Sequence, residues 1–373
     1  MSDAATGTTD IEDLRRDLAI LLDQHLADLA RELEPYGEDV HGLLDAMSTM
    51  VAGGKRLRPA FCYWSWRAHG GPAAAARGTA ADRRTILRVG VALELFQAAA
   101  LFHDDVMDGS DTRRGRPSAH RHFEAAHRAA GWIGPPDTFG EAAAILLGDL
   151  ALVASEREFS AAVAAAPPSV GRAARTVFDA MRTEVTVGQF LDVLGQALPW
   201  GDGAQDERRA RHVVRAKSAR YSVEHPLVLG AVLAGAPGDA VDRCRQQGLA
   251  LGEAFQLRDD LLGVFGDPAA TGKPAGDDLR EGKRTVLVAR AVQLAGPEDR
   301  ALLTEHLGRR DLTPEDVQRL RDVLEATGAT AAVEAMIDEL AEPALQALAE
   351  APLEEPGRTM LVRLGEAAVK RHS

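Results

Sequence analysis

A chain of 373 residues with 46% hydrophobic content can bury a substantial core, and nothing in its make-up marks it as fibrous or disordered. Its formal net charge of −13 excludes a surface built to track nucleic-acid phosphates, so an anionic substrate must be met by local clusters of basic residues. The two cysteines, Cys62 and Cys244, belong to no CxxC or Cys/His ligand set, which removes disulfide-framework and zinc readings and fits a reducing cytoplasm.

The start, MSDAATGTTDIEDL, has no basic segment followed by an apolar one, so residues 1–10 read as a short acidic mobile tail rather than a secretion signal. From about Asp10 to Met50, Leu and Ile recur at helical spacing, which predicts one or two amphipathic helices ending before Gly53-Gly54. That break opens the basic run Lys55-Arg56-Leu57-Arg58-Pro59. Its glycines either let backbone N–H groups approach a phosphate or simply stop the helix. A Gly/Ala-rich loop over roughly His69 to Asp82 precedes a predicted helix from Arg84 to Asp108. That helix is about 37 Å long and apolar nearly all round, hence central. Loops are expected at 131–137 and 199–206, and a second central helix at Cys244 to Phe265. A polar stretch without periodicity, Gly266 to Arg284, follows it, of the kind that is usually functional. Amphipathic helices resume from Ala301, broken at Gly328 and at Pro352 to Gly357. Few segments alternate like strands. The most apolar windows, Val89 to Phe102 and Ile145 to Val153, are interrupted by Glu94 and Asp149 and are too short to cross a bilayer. The expectation is a single all-α domain over residues 1–373 without a transmembrane segment.

Both central helices end in acids. In Asp104-Asp105-Val106-Met107-Asp108, the spacing puts Asp104 and Asp108 on one helix face, able to bind the same hard cation, with Asp105 beside them. Asp259-Asp260 stands 155 residues after Asp104, but the position four beyond Asp259 is Gly263 rather than an acid. Its site must be completed elsewhere, by Asp278 first, with Asp267 and Asp277 as alternatives. Magnesium bridges one or two protein carboxylates to phosphate oxygens, so two acid clusters beside basic residues point to diphosphate chemistry. A lone cluster of this kind is as often a solvated helix end; Arg113 and Arg114, within two turns, tip the balance by offering clamps for phosphate oxygens. Lys55 and Arg58, Arg113 and Arg114, Lys217, Lys273 and Lys283 together suffice for two diphosphates, one near the metals and one held by basic residues alone. His103, His120 and His122 read as satisfied or solvated. No Ser/His/Asp order, Walker loop or GxGxxG is present, which removes the common hydrolase, P-loop and dinucleotide readings.

The order Gly-Gly-Lys55-Arg56-Leu57-Arg58-Pro59, LFHDDVMDGSDTRRGRP, GQFLD, Lys217-Ser218, FQLRDDLLGVFGDP, TGKPAGDD and EGKRT resembles the trans-isoprenyl diphosphate synthases from about Gly53 to Thr285. The resemblance implies an isoprenoid-synthase helical bundle around a deep central cavity, a homodimer, and a cytoplasmic enzyme using Mg2+, three ions per active site. It implies that Asp104, Asp108, Asp259 and Asp278 hold an allylic diphosphate through magnesium, with Asp105 and Asp260 beside them and Arg113, Lys217, Lys273 and Lys283 assisting. Isopentenyl diphosphate would sit on Lys55, Arg58 and Arg114, with Gln97 at a position that is His or Gln in relatives, while Ser218 and Gln256 supply dipoles to the allylic cation. Side chains one turn before Asp104 lie along the growing chain; Ala99 and Ala100 are too small to stop it, and Phe96, one turn further back, would form a floor suited to geranylgeranyl diphosphate. Alternatively, Phe96 packs into neighbouring helices and the floor lies elsewhere. A class I terpene cyclase would carry an Asn/Ser/Glu metal motif where Asp259-Asp260 stands, and a non-catalytic partner subunit would have lost its aspartates.

Overall fold

The structure is a computed structural model that describes the backbone of residues 2–267 and 276–370 and the side chains from residue 11 onward. It is a helical bundle. Helix α1 (Ser2–Leu33) takes in the acidic start read as a tail, and two 3-10 turns lead to α2 (His41–Val51). Then follow α3 (Leu57–Ala68), α4 (Gly71–Ala76), α5 (Arg83–Met107), α6 (Ala119–Ala130), α7 (Pro136–Ala164) and α8 (Pro168–Ala197). Next, α9 (Gly203–Val213) passes directly into a π-helix (Val214–Glu224) and α10 (His225–Leu233), before α11 (Gly238–Phe265) and α12 (Asp277–Glu281). The chain closes with α13 (Val286–Leu294), α14 (Pro297–His306), α15 (Pro314–Ala326), α16 (Ala329–Glu350) and α17 (Gly357–Val369).

The local chemistry accounts for where these helices start. Asp82 caps α5 by accepting from the Thr85 N–H, and Asp202 caps α9 through Ala204 N–H, so the expected loop at 199–206 ends earlier than its composition suggested. Thr313 and Asp316 form a reciprocal capping box at α15. Within the loop expected at 69–82, Pro72 in the first turn lets the short α4 form after Gly70, which takes the left-handed conformation. One element breaks the all-helical expectation: β1 (Thr112–Arg113) pairs antiparallel with β2 (Arg116–Pro117), a two-stranded ribbon after the first acid cluster.

Helix α5 is the axis of the bundle. Ile86, Val89, Leu93, Leu95, Ala99 and Phe102 are all buried, and each large side chain among them contributes about 1.5–3 kcal/mol by leaving water. The length argument against membrane spans does not survive, because α5 and α7 run to 25 and 29 residues and are apolar enough to cross a bilayer by length and composition. For α5 the apolarity has a plain cause, since 78% of its apolar window is buried inside the bundle. Helix α7 is different: only 44% of its window is covered, leaving Ile145, Leu146 and Val153 exposed. Helix α8 likewise exposes Val187, Phe190, Val193 and Leu194.

Candidate active site

A cavity of about 620 Å³ opens where α3, α5, α8, the π-helix and α11 meet. Its lining includes Asp104 at the end of α5, Asp259 and Asp260 near the end of α11, Asp278 on α12, and Lys55, Arg58 and Arg114. The bundle thus brings together two acid clusters far apart in sequence, and the basic run before α3 with them.

The acidic half is held by basic residues. Lys217 Nζ donates to Asp104 Oδ1 at 2.9 Å and to Asp192 Oδ2 at 2.6 Å. Burial would raise the Asp104 carboxyl, but Lys217, Lys283 and Arg113 outweigh it and hold that group far below the usual carboxylate range. Arg113 Nε donates to the fully buried Asp105 at 2.9 Å. Asp108 is turned toward Lys283, whose Nζ lies 3.1 Å from its Oδ2, 2.7 Å from Glu281 and 3.6 Å from Asp278. Burial, with Asp104 and Glu281 nearby, pushes Asp108 above its ordinary value despite that lysine. Across the cavity, Ser218 Oγ donates to Gln256 Oε1, and Gln256 Nε2 donates to Asp260 Oδ1 at 2.7 Å. Asp260 Oδ2 is buried without a hydrogen-bond partner among the described residues. Burial and the like charges of Asp278 and Asp259 raise its carboxyl well above the usual range. Gly263 makes room for this arrangement: a Cβ there would lie 1.9 Å from Asp278 Oδ2, so Asp278 occupies the space a side chain at 263 would take.

The other half is dominated by arginines. Arg58 donates to Ser222 Oγ at 2.7 Å and lies 4.1 Å over the Tyr221 ring. Arg114 Nη1 donates to the Met50 carbonyl at 2.9 Å, and Arg56 donates to Glu94. Arg56 and Arg114, with φ of 52° and 53°, are the two non-glycine residues at positive φ among those described, and both line the cavity. Such conformations persist only where the surroundings enforce them, and they gather at binding sites. Burial and the neighbouring Arg56, Arg113 and Arg58 lower Arg114 despite Glu94.

Most residues expected from sequence converge here, with four qualifications. Lys273 lies outside the described residues. Asp105 and Asp108 sit behind the cavity wall rather than on it. Ala100, Leu101 and Gln97 face the cavity, whereas Phe96 and Ala99 do not, because successive helical residues turn by about 100°. Phe96 packs edge-on against Tyr221 and Phe178, at 5.4 and 6.4 Å between ring centroids, so it stands behind the wall instead of forming a floor. Finally, no three acids among the described residues converge as a closed cage for one ion.

Sequence reasoning also overlooked residues. Asp192 and Gln189, both in the GQFLD motif, line the cavity, as do Arg56, Glu94 and Tyr221, whose hydroxyl donates to Gln97 Oε1 at 2.6 Å. The usable signals were the motif itself for the first pair and position within the basic run for Arg56. Tyr221 offered none, since a tyrosine at helical spacing reads as core. The π-helix was equally invisible, although its i→i+5 pattern is rare and concentrates at functional sites. It carries Lys217, Ser218 and Tyr221 to the cavity.

The polyprenyl synthetase family profile matches residues 40–324, more than half of the chain. The chain belongs to the polyprenyl synthetase family. A geranylgeranyl pyrophosphate synthase from Corynebacterium glutamicum, solved in complex with isoprenyl diphosphate and magnesium, has a TM-score of 0.90 at 37% identity, over 97% of this chain and 99% of that one. Geranylfarnesyl diphosphate synthase of Aeropyrum pernix is 31% identical over 76% of this chain and 79% of its own length. Nonaprenyl diphosphate synthase of Mycobacterium tuberculosis is 31% identical over 86% and 84%. This polyprenyl synthetase is therefore a trans-prenyltransferase with the all-α isoprenoid-synthase fold, and its relatives differ in the product they make.

Proposed function

We propose that the chain condenses isopentenyl diphosphate with an allylic diphosphate (dimethylallyl, geranyl or farnesyl) and makes geranylgeranyl diphosphate as its main product. The observation that carries this reading is how one cavity is lined: acids Asp104, Asp259, Asp260 and Asp278, with Arg113, Lys217 and Lys283 among them, and a second, mainly basic group, Lys55, Arg56, Arg58 and Arg114, with Glu94 paired to Arg56. One end suits a diphosphate held with metal ions, the other a diphosphate held by basic residues alone.

The donor set fits Mg2+, with Asp104, Asp259 and Asp278 of the cavity lining as its protein ligands and Asp108, now paired with Lys283 behind the wall, joining them when that lysine turns to a diphosphate; the orphaned Oδ2 of Asp260 marks a site built for a cation. Magnesium, three ions per site on this reading, supplies positive charge to the departing diphosphate. Lys217, Lys283 and Arg113, with Lys273, bind the leaving oxygens as the allylic C1–O bond breaks and both electrons go to the diphosphate. Lys55, Arg58 and Arg114 hold the isopentenyl diphosphate so that its double bond meets the cation at C1, and Gln97 closes that end. Ser218 and Gln256 direct dipoles at the positive charge, and the greasy wall keeps water from trapping it. The new C–C bond leaves a cation that loses a proton to the released diphosphate, so no histidine base is required, and none is among the described residues that line the cavity.

A second reading, a C25 or longer product, is favoured by one observation. The α5 residues facing the cavity, Ala100 and Leu101, place no ring across it, and Phe96 lies behind Tyr221. Incubation with Mg2+, isopentenyl diphosphate and each of the three primers, followed by mass spectrometry, separates the two. A C20 diphosphate supports the first reading, C25 or longer the second, and no condensation with any primer refutes both. We further propose a cytoplasmic homodimer in which the exposed apolar residues of α7 and α8 meet their counterparts in a second copy.

A further inference from the structure

The π-helix is seated between two neighbours with almost no clearance. On α8, a Cβ added at Gly188 would fall 2.4 Å from Lys217 N and 2.7 Å from Lys217 Cα. On α11, a Cβ at Gly252 would fall 2.2 Å from the Ala219 carbonyl oxygen, and one at Gly248 would fall 2.6 Å from Glu224 Cα. These near atoms are backbone, which cannot swing aside as a side-chain end can. The contact continues along α8 at helical spacing. One turn before Gly188, Glu184 bonds Arg220 at 3.0 Å and His225 at 2.8 Å, and one turn after it Asp192 accepts from Lys217 Nζ. Glu184, Gly188 and Asp192 thus form one face of α8 that touches the π-helix at its far end, its backbone and its functional lysine in turn.

We infer that Gly188 and Gly252 are positioning residues that seat the π-helix so that Lys217 reaches Asp104 and Asp192 and Ser218 reaches Gln256. The inference rests on the proposed function for its kinetic consequence but not for its structural one. A methyl group on either side forces the π-helix out of its seat, and Lys217 moves with the backbone that carries it. The allylic end of the cavity is disturbed directly; Arg58 feels the shift only through Ser222 and Tyr221, one turn further along the π-helix, while Lys55 and Arg114 belong to other segments.

The test compares Gly188→Ala and Gly252→Ala with Gly357→Ala, whose Cβ would be equally crowded, 2.5 Å from Ala68 N, but on α17. Each variant is purified whole, its folding is checked by thermal melting, and steady-state constants are measured for both substrates. For the first two variants, kcat/KM for the allylic substrate is expected to fall by up to about 10²-fold, the cost of an ångström-scale misplacement, with a smaller rise in the KM for isopentenyl diphosphate passed on through Arg58. Gly357→Ala is expected to change neither. Glu184→Gln, which loosens the seat without adding bulk, is expected to move the same constant in the same direction and covers the case in which an alanine variant does not fold. Crystal structures of the folded variants read the geometry independently of turnover: Lys217 Nζ should lie beyond hydrogen-bond reach of Asp104 or Asp192. An intact Lys217 pair overturns the inference, as does an unchanged kcat/KM for the allylic substrate in a folded variant. A wild-type chain without prenyl transfer but with variants that displace Lys217 overturns the proposed function instead.

Discussion

Replacing Gly263 by alanine probes the least familiar part of the metal-binding half. A methyl group there would sit 1.9 Å from Asp278 Oδ2 and 2.6 Å from its Cγ, so the carboxylate has to turn away from its place against α11. If Asp278 serves magnesium, the variant loses one oxygen donor without losing an acid. Disturbing a group that orients or completes a metal site costs about 10- to 100-fold in affinity, or about 1.4–2.7 kcal/mol. The half-saturating Mg2+ concentration, from initial rates at saturating substrates, is expected to rise by that factor. Asp278→Ala is expected to raise it equally, and the double variant no further, because both changes remove the same donor. An unchanged magnesium curve for Gly263→Ala, or a double variant in which the two losses multiply, refutes the claim that Asp278 stands in for the acid missing at 263.

Arg114→Gln removes a cation from the arginine-rich half, so the KM for isopentenyl diphosphate is expected to rise about 10- to 100-fold, the worth of a charge-assisted hydrogen bond, with the allylic KM nearly constant; steady-state kinetics decide, and a parallel rise in both would be evidence against two separate diphosphate ends. Ala100→Phe places a ring on the cavity face one turn from Asp104 and should shorten the product, read by mass spectrometry; an unchanged profile means the chain runs along another wall. Because burial and neighbouring acids raise Asp260 and Asp108, both keep their protons above the usual carboxylate range when no metal is bound. Their contribution to stability is present below the ordinary carboxylate value and lost as pH rises through the raised ones. Metal affinity runs the other way, strengthening as pH climbs through that window, with protons released on binding. Calorimetry in buffers of different ionisation enthalpy counts those protons, and a count of zero contradicts the scheme.

The all-α fold was legible because helical apolar periodicity is dense in this chain; α5 ends at its acids, and α11 ends at Phe265, where the pattern predicted. The acid clusters and the basic run were legible as chemistry because two acid clusters recur beside basic residues in one motif order, where either alone reads as a solvated helix end. Facing direction was not. Ala99 and Ala100 are neighbours in sequence but point to different sides of α5, and only packing decides which side holds the cavity. Phe96 misled for the same reason: an aromatic one turn from a site is a floor or a backing according to what stands between, and here Tyr221 does. The ribbon at Thr112–Pro117 was too short to alternate visibly, yet it carries Arg113 and leads through the left-handed Arg114. The π-helix lies with its backbone close against Gly188 and Gly252, tertiary contacts that leave no local sequence signal.

The cations of the acidic half already have carboxylate partners, and this bears on how the site reaches its working state. Lys217 is shared between Asp104 and Asp192, and Lys283 among Asp108, Glu281 and Asp278. Leaving a buried charge alone costs several kcal/mol, so a site with these lysines and no acids would not stay closed around them. On the proposed reading the pairs exchange rather than break: a diphosphate takes the lysines, and the carboxylates they release become available to cations arriving with it. Neither half of that exchange is favourable alone, because a metal without a diphosphate competes with two ammonium groups, and a diphosphate without a metal meets two acid clusters. Binding of the two should therefore be strongly coupled, and the coupling must be reciprocal. Magnesium should bind weakly to the protein alone and tightly with inorganic diphosphate present, and by the same factor diphosphate should bind better with magnesium.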